Sequence, residues 1–150
     1  MSGSTVTRKR VIIVEDNSDD IMLYQRVFNR FLNKNYELLV FDDGEKALTY
    51  FKNTYRDSCL DCIVFLDIKM PRVSGLDLLQ YLRSQEQWAS APVSMLTSSD
   101  QISDINKAYA LGATSYIEKP KDYIRLKTQL PRIISYFDTE IYECSGYDRG

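Results

Sequence analysis

Five short apolar runs, four of them followed by an amphipathic segment of helical period and the fifth by a longer one, constrain this chain more than any other feature. Val11-Ile12-Ile13-Val14 is β-branched throughout, as suits a strand covered on both faces. Ile21, Tyr24, Phe28, Phe31 and Leu32 then recur at helical spacing. Leu38–Phe41 reads as a second strand, and Asp42-Asp43-Gly44 turns the chain into a helix carrying Ala47, Leu48 and Phe51. Asn53–Leu60 reads as a surface loop before a third strand, Cys62–Leu66. Ser74 and Asp77 have the spacing of a capping box for a helix with Leu78, Leu79 and Leu82. Pro92–Leu96 is the fourth strand. Ser98 and Gln101 predict a second box, for a helix with Ile102, Ile105, Ala108 and Tyr109 that ends at Gly112. Thr114–Ile117 is the fifth strand, and Leu126, Leu130, Ile133, Phe137 and Ile141 mark a long last helix. Pro131 lies inside that pattern and predicts a kink or a late start. Repeated strand–helix units of this kind give an α/β fold, a doubly wound five-stranded parallel sheet with helices on both faces.

The 150 residues suffice for one domain. It is expected over residues 9–143, with a flexible start (1–8) and a flexible tail (144–150). Nineteen basic against 21 acidic residues leave a net charge of −2, which argues against DNA as a partner. The absence of histidine excludes a Ser-His-Asp triad, a Cys-His dyad, His-ligated zinc and a phosphohistidine on this chain. Three cysteines, Cys59, Cys62 and Cys144, do not make a disulfide framework and fit a reducing compartment. Cys59 and Cys62 form a single C-x-x-C with no second pair, and buried thiols beside a strand account for them better than a metal site does. No apolar run approaches the roughly 20 residues of a membrane helix, and no signal-peptide core is present. A cytoplasmic protein with no membrane contact is the expectation.

In an open parallel sheet, ligands bind beyond the carboxyl ends of the strands. Glu15 and Asp16 follow the first strand, Asp67 the third, Thr97 and Ser98 the fourth, and Glu118, Lys119 and Pro120 the fifth. Crowded carboxylates suit a hard divalent cation such as Mg²⁺, which takes one or two carboxylates together with waters and a phosphate oxygen. A lysine and a hydroxyl can hold further phosphate oxygens, and a carboxylate can itself accept a phosphoryl group. Singly, each residue has a plainer use: Asp16 or Asn17 as a helix cap, Lys119-Pro120 and Thr97 as turn residues. Their joint placement after four strands carries the argument.

The order V-I-I-V-E-D, F-L-D-I-K-M-P followed by Gly75, M-L-T-S-S and G-A-T-S-Y-I-E-K-P resembles the receiver domain of two-component response regulators, from about Lys9 to Phe137. The resemblance implies a CheY-like, flavodoxin-like sheet of order 2-1-3-4-5. It implies Asp67 as phosphoacceptor, Glu15 and Asp16 as the acidic pair positioning Mg²⁺, and Lys69 as donor of a backbone carbonyl to the metal. Thr97 matches the switch hydroxyl, Tyr116 the aromatic that follows the switch, and Lys119 the phosphate-pairing lysine. Small Ser98 leaves room for the phosphoryl group. The peptide before Pro120 is usually cis in the family. Glu15 stands where Asp is more usual, Lys69 adds an uncommon positive charge, and the wide separation of Asp16 from Asp67 implies an extended loop before the third strand.

The short stretch after the last helix and the aromatic pair Tyr136-Phe137 are similar to small stand-alone regulators that accompany phytochrome-type and other hybrid kinases. The implied function is a phosphoacceptor switch in a phosphorelay. It is a signalling protein rather than an enzyme, promotes its own phosphotransfer and dephosphorylation, and takes its phosphoryl group from a histidine kinase. The fourth helix, fifth strand and last helix would form the responsive face, for a partner or a homodimer. A receiver-like module that binds partners without phosphorylation is the alternative. A Mg²⁺-dependent phosphatase would place an Asp where Lys69 stands, and an FMN carrier would need a phosphate-cradling loop in place of Glu15 and Asp16.

Overall fold

The computed structural model describes residues 9–32, 34–54, 62–120 and 122–144, the last six by their backbone only. Strands β1 (Lys9–Val14), β2 (Tyr36–Phe41), β3 (Cys62–Leu66), β4 (Val93–Thr97) and β5 (Ser115–Glu118) form one sheet of order β2-β1-β3-β4-β5, parallel throughout. Val14 pairs with Phe41 on one side and Leu66 on the other, and Thr97 pairs with Glu118. The carboxyl ends of β1, β3, β4 and β5 therefore finish at one edge.

Alternate side chains of a strand point to opposite faces, and the two cores follow that period. Ile12, Val14, Val64 and Leu66 pack with Ala47 and Phe51 of α2 (Gly44–Asn53), Leu78, Leu79 and Leu82 of α3 (Gly75–Ser84), and Ala108 of α4 (Ile102–Ala110). Val11, Ile13, Ile63 and Phe65 pack on the other face, against Tyr24 and Val27 of α1 (Ser18–Val27) and Leu126, Leu130, Ile134 and Phe137 of α5 (Tyr123–Cys144). Trp88 is fully buried, with its ring edge-on to Phe51 at 5.1 Å.

Local chemistry sets the helix starts. Asn17 caps α1 by accepting from the Asp20 amide, Asp43 caps α2, and Ser74 with Asp77 completes the capping box of α3. Gly112 ends α4 at φ 102°, a backbone region that favours glycine. Arg83, near the end of α3, is half-buried and clamps the far end of the sheet. It donates to the carbonyls of Gly112 (2.8 Å), Ala91 (2.8 Å), Ala89 (3.2 Å) and Trp88 (3.4 Å), and to the Thr114 hydroxyl (3.3 Å).

Several expectations change. The Ser98–Gln101 box does not form: Gln101 takes the cap position of α4 without a side-chain bond, and the Ser99 hydroxyl bonds to Asp104 at 2.6 Å. Ala108 is the one buried residue of α4, while Ile102 and Tyr109 are exposed. α5 does not start late. It begins at Tyr123 and runs through Pro131, where proline withholds the amide that would bond to the Lys127 carbonyl. Ile134 rather than Ile133 takes the deeply buried position, and Phe137 packs on Phe65 while Tyr136 points outward. The periodic stretch after α1 is a π-helical segment, Phe28–Leu32. The end segments 1–8 and 145–150, Cys59 and most of the loop before β3 lie outside the described residues. Cys62 is buried in β3.

Candidate functional site

The site forms where β1, β3 and β5 end together. The Asp67 amide bonds to the Val14 carbonyl at 3.1 Å, and the Glu15 amide to the Phe41 carbonyl at 2.9 Å, so the sheet ladder extends into the acidic residues. The Lys119 amide bonds to the Thr97 carbonyl at 2.9 Å, which fixes the last two members in the same way. Because Asn17 serves as the cap of α1, Asp16 is free of that duty and exposed, while Glu15 and Asp67 are buried at 1% and 7% exposure.

Carboxylate oxygens of Glu15, Asp16 and Asp67 lie within 4.8 Å of one another. Lys119 reaches into the same place. Its Nζ stands 2.7 Å from Glu15 Oε1, 2.8 Å from Asp20 Oδ2 and 3.3 Å from Asp67 Oδ2. The surrounding cleft, about 600 Å³, is also lined by Lys69, Ser98, Glu118 and Pro120. Among the described residues no peptide is cis, so the expected cis bond before Pro120 is corrected. Trans is the favoured form of an X-Pro bond, and three carboxylates draw the long Lys119 side chain inward without the isomer change.

Burial pushes the Glu15 carboxyl up to about 7; the bond from Lys119 opposes this and the neighbouring Asp67 charge adds to it. Burial works against the Lys119 charge, but the bonds to Asp20 and Glu15 outweigh it and hold the ammonium above the usual lysine range. Tyr24, buried beneath the cleft, is raised chiefly by burial and then by the Glu15 charge.

On the β4 side, Thr97 is buried and its hydroxyl accepts from the Ser99 amide at 3.3 Å. The Tyr116 hydroxyl donates to the Ser99 carbonyl at 2.7 Å. Thr97 and Tyr116 are thereby connected through one residue of the loop after β4. Opposite, the loop after Asp67 folds tightly onto α3. The Gly75 amide bonds to the Ile68 carbonyl, and a Cβ at Gly75 would lie 2.0 Å from the Asp67 carbonyl oxygen. Arg72, in that loop, holds φ 67° and pairs with Asp43 at 2.5 Å and Glu45 at 3.3 Å.

The structure thus brings together Glu15, Asp16, Asp67, Lys69, Ser98, Lys119 and Pro120 around one cleft, with Thr97 and Tyr116 at its β4 side. Sequence reasoning missed Asp20 and Ser99. Asp20 reaches Lys119 from the first turn of α1, where an acidic residue reads as a helix-dipole partner.

The profile of the response regulator receiver domain family matches residues 11–131, and the chain belongs to that family. Receiver domains act in two-component phosphorelays and are phosphorylated by histidine kinases. The chain is 31% identical over 128 residues to the probable methanogenesis regulatory protein FilR2 of Methanothrix harundinacea, covering 85% of this chain and 82% of FilR2. It is 25% identical to the response regulator Rcp1 of Synechocystis, over 91% of this chain and 94% of Rcp1. It spans only 44% of the probable transcriptional regulator ycf27 of Cyanophora paradoxa. Among solved structures, the phosphorylated cyanobacterial phytochrome response regulator RcpA superposes with a TM-score of 0.76 at 26% identity, over 87% of this chain and 94% of RcpA. Among the described residues, no helix is long and apolar enough to cross a membrane.

Proposed function

We propose that Asp67 is the phosphoacceptor and that the chain works as a small cytoplasmic switch driven by a histidine kinase. The observation that carries this reading is the convergence of Glu15, Asp16, Asp67 and Lys119 on one cleft. The donor set is all oxygen, three carboxylates within 4.8 Å, which suits Mg²⁺ better than a soft metal. Glu15, Asp16 and Asp67 would hold the ion, with the Lys69 backbone carbonyl as a further ligand. Bound there, Mg²⁺ supplies positive charge that neutralises the carboxylates and a phosphoryl group beside them. Rcp1 has been solved in a Mn²⁺-bound form.

In the transfer, an Asp67 carboxylate oxygen attacks the phosphorus of a phosphohistidine on the kinase. The new bond is O–P, the broken bond is P–N, and the imidazole leaves with the electron pair. Lys119 is already charged and within reach of Asp67, so it meets the phosphoryl oxygens without reorganising. The Thr97 hydroxyl takes another oxygen, and exposed Ser98 leaves the approach open. Such a turn of Thr97 loosens its bond to the Ser99 amide. The Tyr116 hydroxyl, held on the Ser99 carbonyl, follows, which couples the cleft to the face of α4, β5 and α5. Ile102 and Tyr109 stand exposed on α4, as a partner or homodimer contact through that face requires. Water later hydrolyses the acyl phosphate at the same site. The subgroup assigned is the phytochrome-associated regulators, supported by the likeness to Rcp1 and RcpA over most of all three chains.

Intact-protein mass after incubation with acetyl phosphate and Mg²⁺ tests the reading. The expected result is a gain of one phosphoryl group that disappears in Asp67→Asn and with a chelator. The same gain in Asp67→Asn would overturn the assignment, and no gain in the folded wild type would point to partner binding without phosphorylation.

A further inference from the structure

The first turn of α1 carries an aspartate whose carboxylate the phosphoacceptor reading leaves without a task. Asn17 caps this helix, and its side chain accepts from the Asp20 amide at 3.0 Å, so Asp20 sits three residues past the cap. An acidic side chain at that position can turn back to the amide of the cap residue and close a capping box. α3 does this, with Asp77 accepting from the Ser74 amide at 3.0 Å. In α1 the Asn17 amide is already taken, because it donates to Glu15 Oε2 at 3.1 Å. Glu15, one methylene longer than aspartate, reaches the cap amide with one oxygen and Lys119 with the other. The Asp20 carboxylate is thereby released from capping and lies in the cleft, 2.8 Å from Lys119 Nζ.

An ammonium has three N–H donors, and three carboxylates surround that of Lys119. The contact with Asp20 is shorter than the contact with Asp67, 2.8 against 3.3 Å. Glu15 and Asp67 belong with Asp16 to the oxygen cluster that suits a cation, whereas Asp20 stands outside it. A phosphoryl group on Asp67 therefore meets Asp20 as a rival, since both are anions served by one ammonium. Asp19, its neighbour in the same turn, is exposed and is not among the residues lining the cleft.

We infer that Asp20 is a positioning residue that shares Lys119 with the phosphoacceptor and so sets how strongly the ammonium grips a phosphoryl group on Asp67. Sharing holds Lys119 on the α1 side of the cleft before transfer and weakens its hold on the phosphoryl oxygens afterwards. This role rests on the reading of Asp67 as phosphoacceptor.

The test titrates the full chain, in Mg²⁺, with beryllofluoride, an anion that mimics a phosphoryl group on a carboxylate, and follows binding by calorimetry. Asp20→Asn keeps the backbone amide that Asn17 accepts from and removes the charge, while Glu15 and Asp67 still hold Lys119. It should bind beryllofluoride about fivefold more tightly than the wild type. The initial rate of mass gain from acetyl phosphate should rise by a similar factor; there an Asp67 oxygen forms the new O–P bond and acetate leaves with the electron pair of the broken one. Asp20→Ser, a second uncharged variant, should do the same. Asp20→Glu restores the charge and should return both readings toward the wild type. Asp19→Asn, which removes an equal charge from the same turn, should leave them near it. Equal or weaker binding in both uncharged Asp20 variants, an equal gain in Asp19→Asn, or an Asp20→Glu variant that behaves as Asp20→Asn would each overturn the inference. Wild-type uptake that vanishes in Asp67→Asn would in those cases leave the phosphoacceptor assignment standing, whereas no uptake by the folded wild type overturns both.

Discussion

Lys119 sets the electrostatics of the cleft, because one ammonium serves Glu15, Asp20 and Asp67 at once. Removing one partner of a buried charge network leaves the others uncompensated. Lys119→Met should therefore destabilise the metal-free protein by about 3 kcal/mol at pH 8, read from urea unfolding, and by less at pH 5. Glu15 supplies a pH signature of its own. Its folded value near 7 lies above the ordinary 4.5, so between those values the folded state binds more protons than the unfolded one. Stability of the metal-free chain should fall as pH rises from about 4.5 to 7 and then level off. Urea midpoints across that range should show the fall in the wild type and a flatter profile in Glu15→Gln. A cation at the site must displace that proton, so Mg²⁺ affinity should rise over the same interval.

At the scale of elements, the loop between β3 and α3 is held from both ends. Ser74→Ala removes the cap of α3 and should cost about 1 kcal/mol, measured by chemical denaturation. Gly75→Ala is a different perturbation, because the new Cβ would overlap the Asp67 carbonyl oxygen. It should slow phosphorylation by acetyl phosphate more than Ser74→Ala does, since it displaces the backbone of Asp67 itself. Elements were legible in the sequence where a residue has one competent role. Ser74 with Asp77 reads as a capping box and forms one, whereas the sequence leaves the cap of α1 between Asp16 and Asn17, and Asn17 takes it. Ser98 has two rivals in Ser99 and Gln101, and the Ser99 hydroxyl finds Asp104 before a box can close. The π-helical segment was invisible because Phe28, Phe31 and Leu32 keep a spacing that an α-helix also satisfies.

For the whole molecule, the parallel sheet gathers the acidic cluster and Lys119 at its carboxyl end and leaves the two cores apolar. Most of the site was readable because it follows the strands: Glu15, Asp16, Asp67, Thr97 and Lys119 each lie at a strand's last residue or within two residues after it. Asp20 comes from a helix turn and is paired only through tertiary placement. Bound Mg²⁺ should stabilise the fold, by about 2.7 kcal/mol at a hundredfold excess over its dissociation constant. Thermal unfolding with and without Mg²⁺ measures this, and the gain should largely vanish in the double variant Glu15→Gln, Asp16→Asn.

Arg83 gives the opposite end of the sheet another temperament. Among the described residues, every acceptor of its guanidinium is neutral: four peptide carbonyls and one hydroxyl. Among the described residues, nothing in that seam gains or loses a proton over the range in which Glu15 titrates, and no counterion is there for salt to screen. Acidification or added electrolyte therefore finds no charged pair in this seam, which serves as the fixed anvil against which the charged cleft is struck.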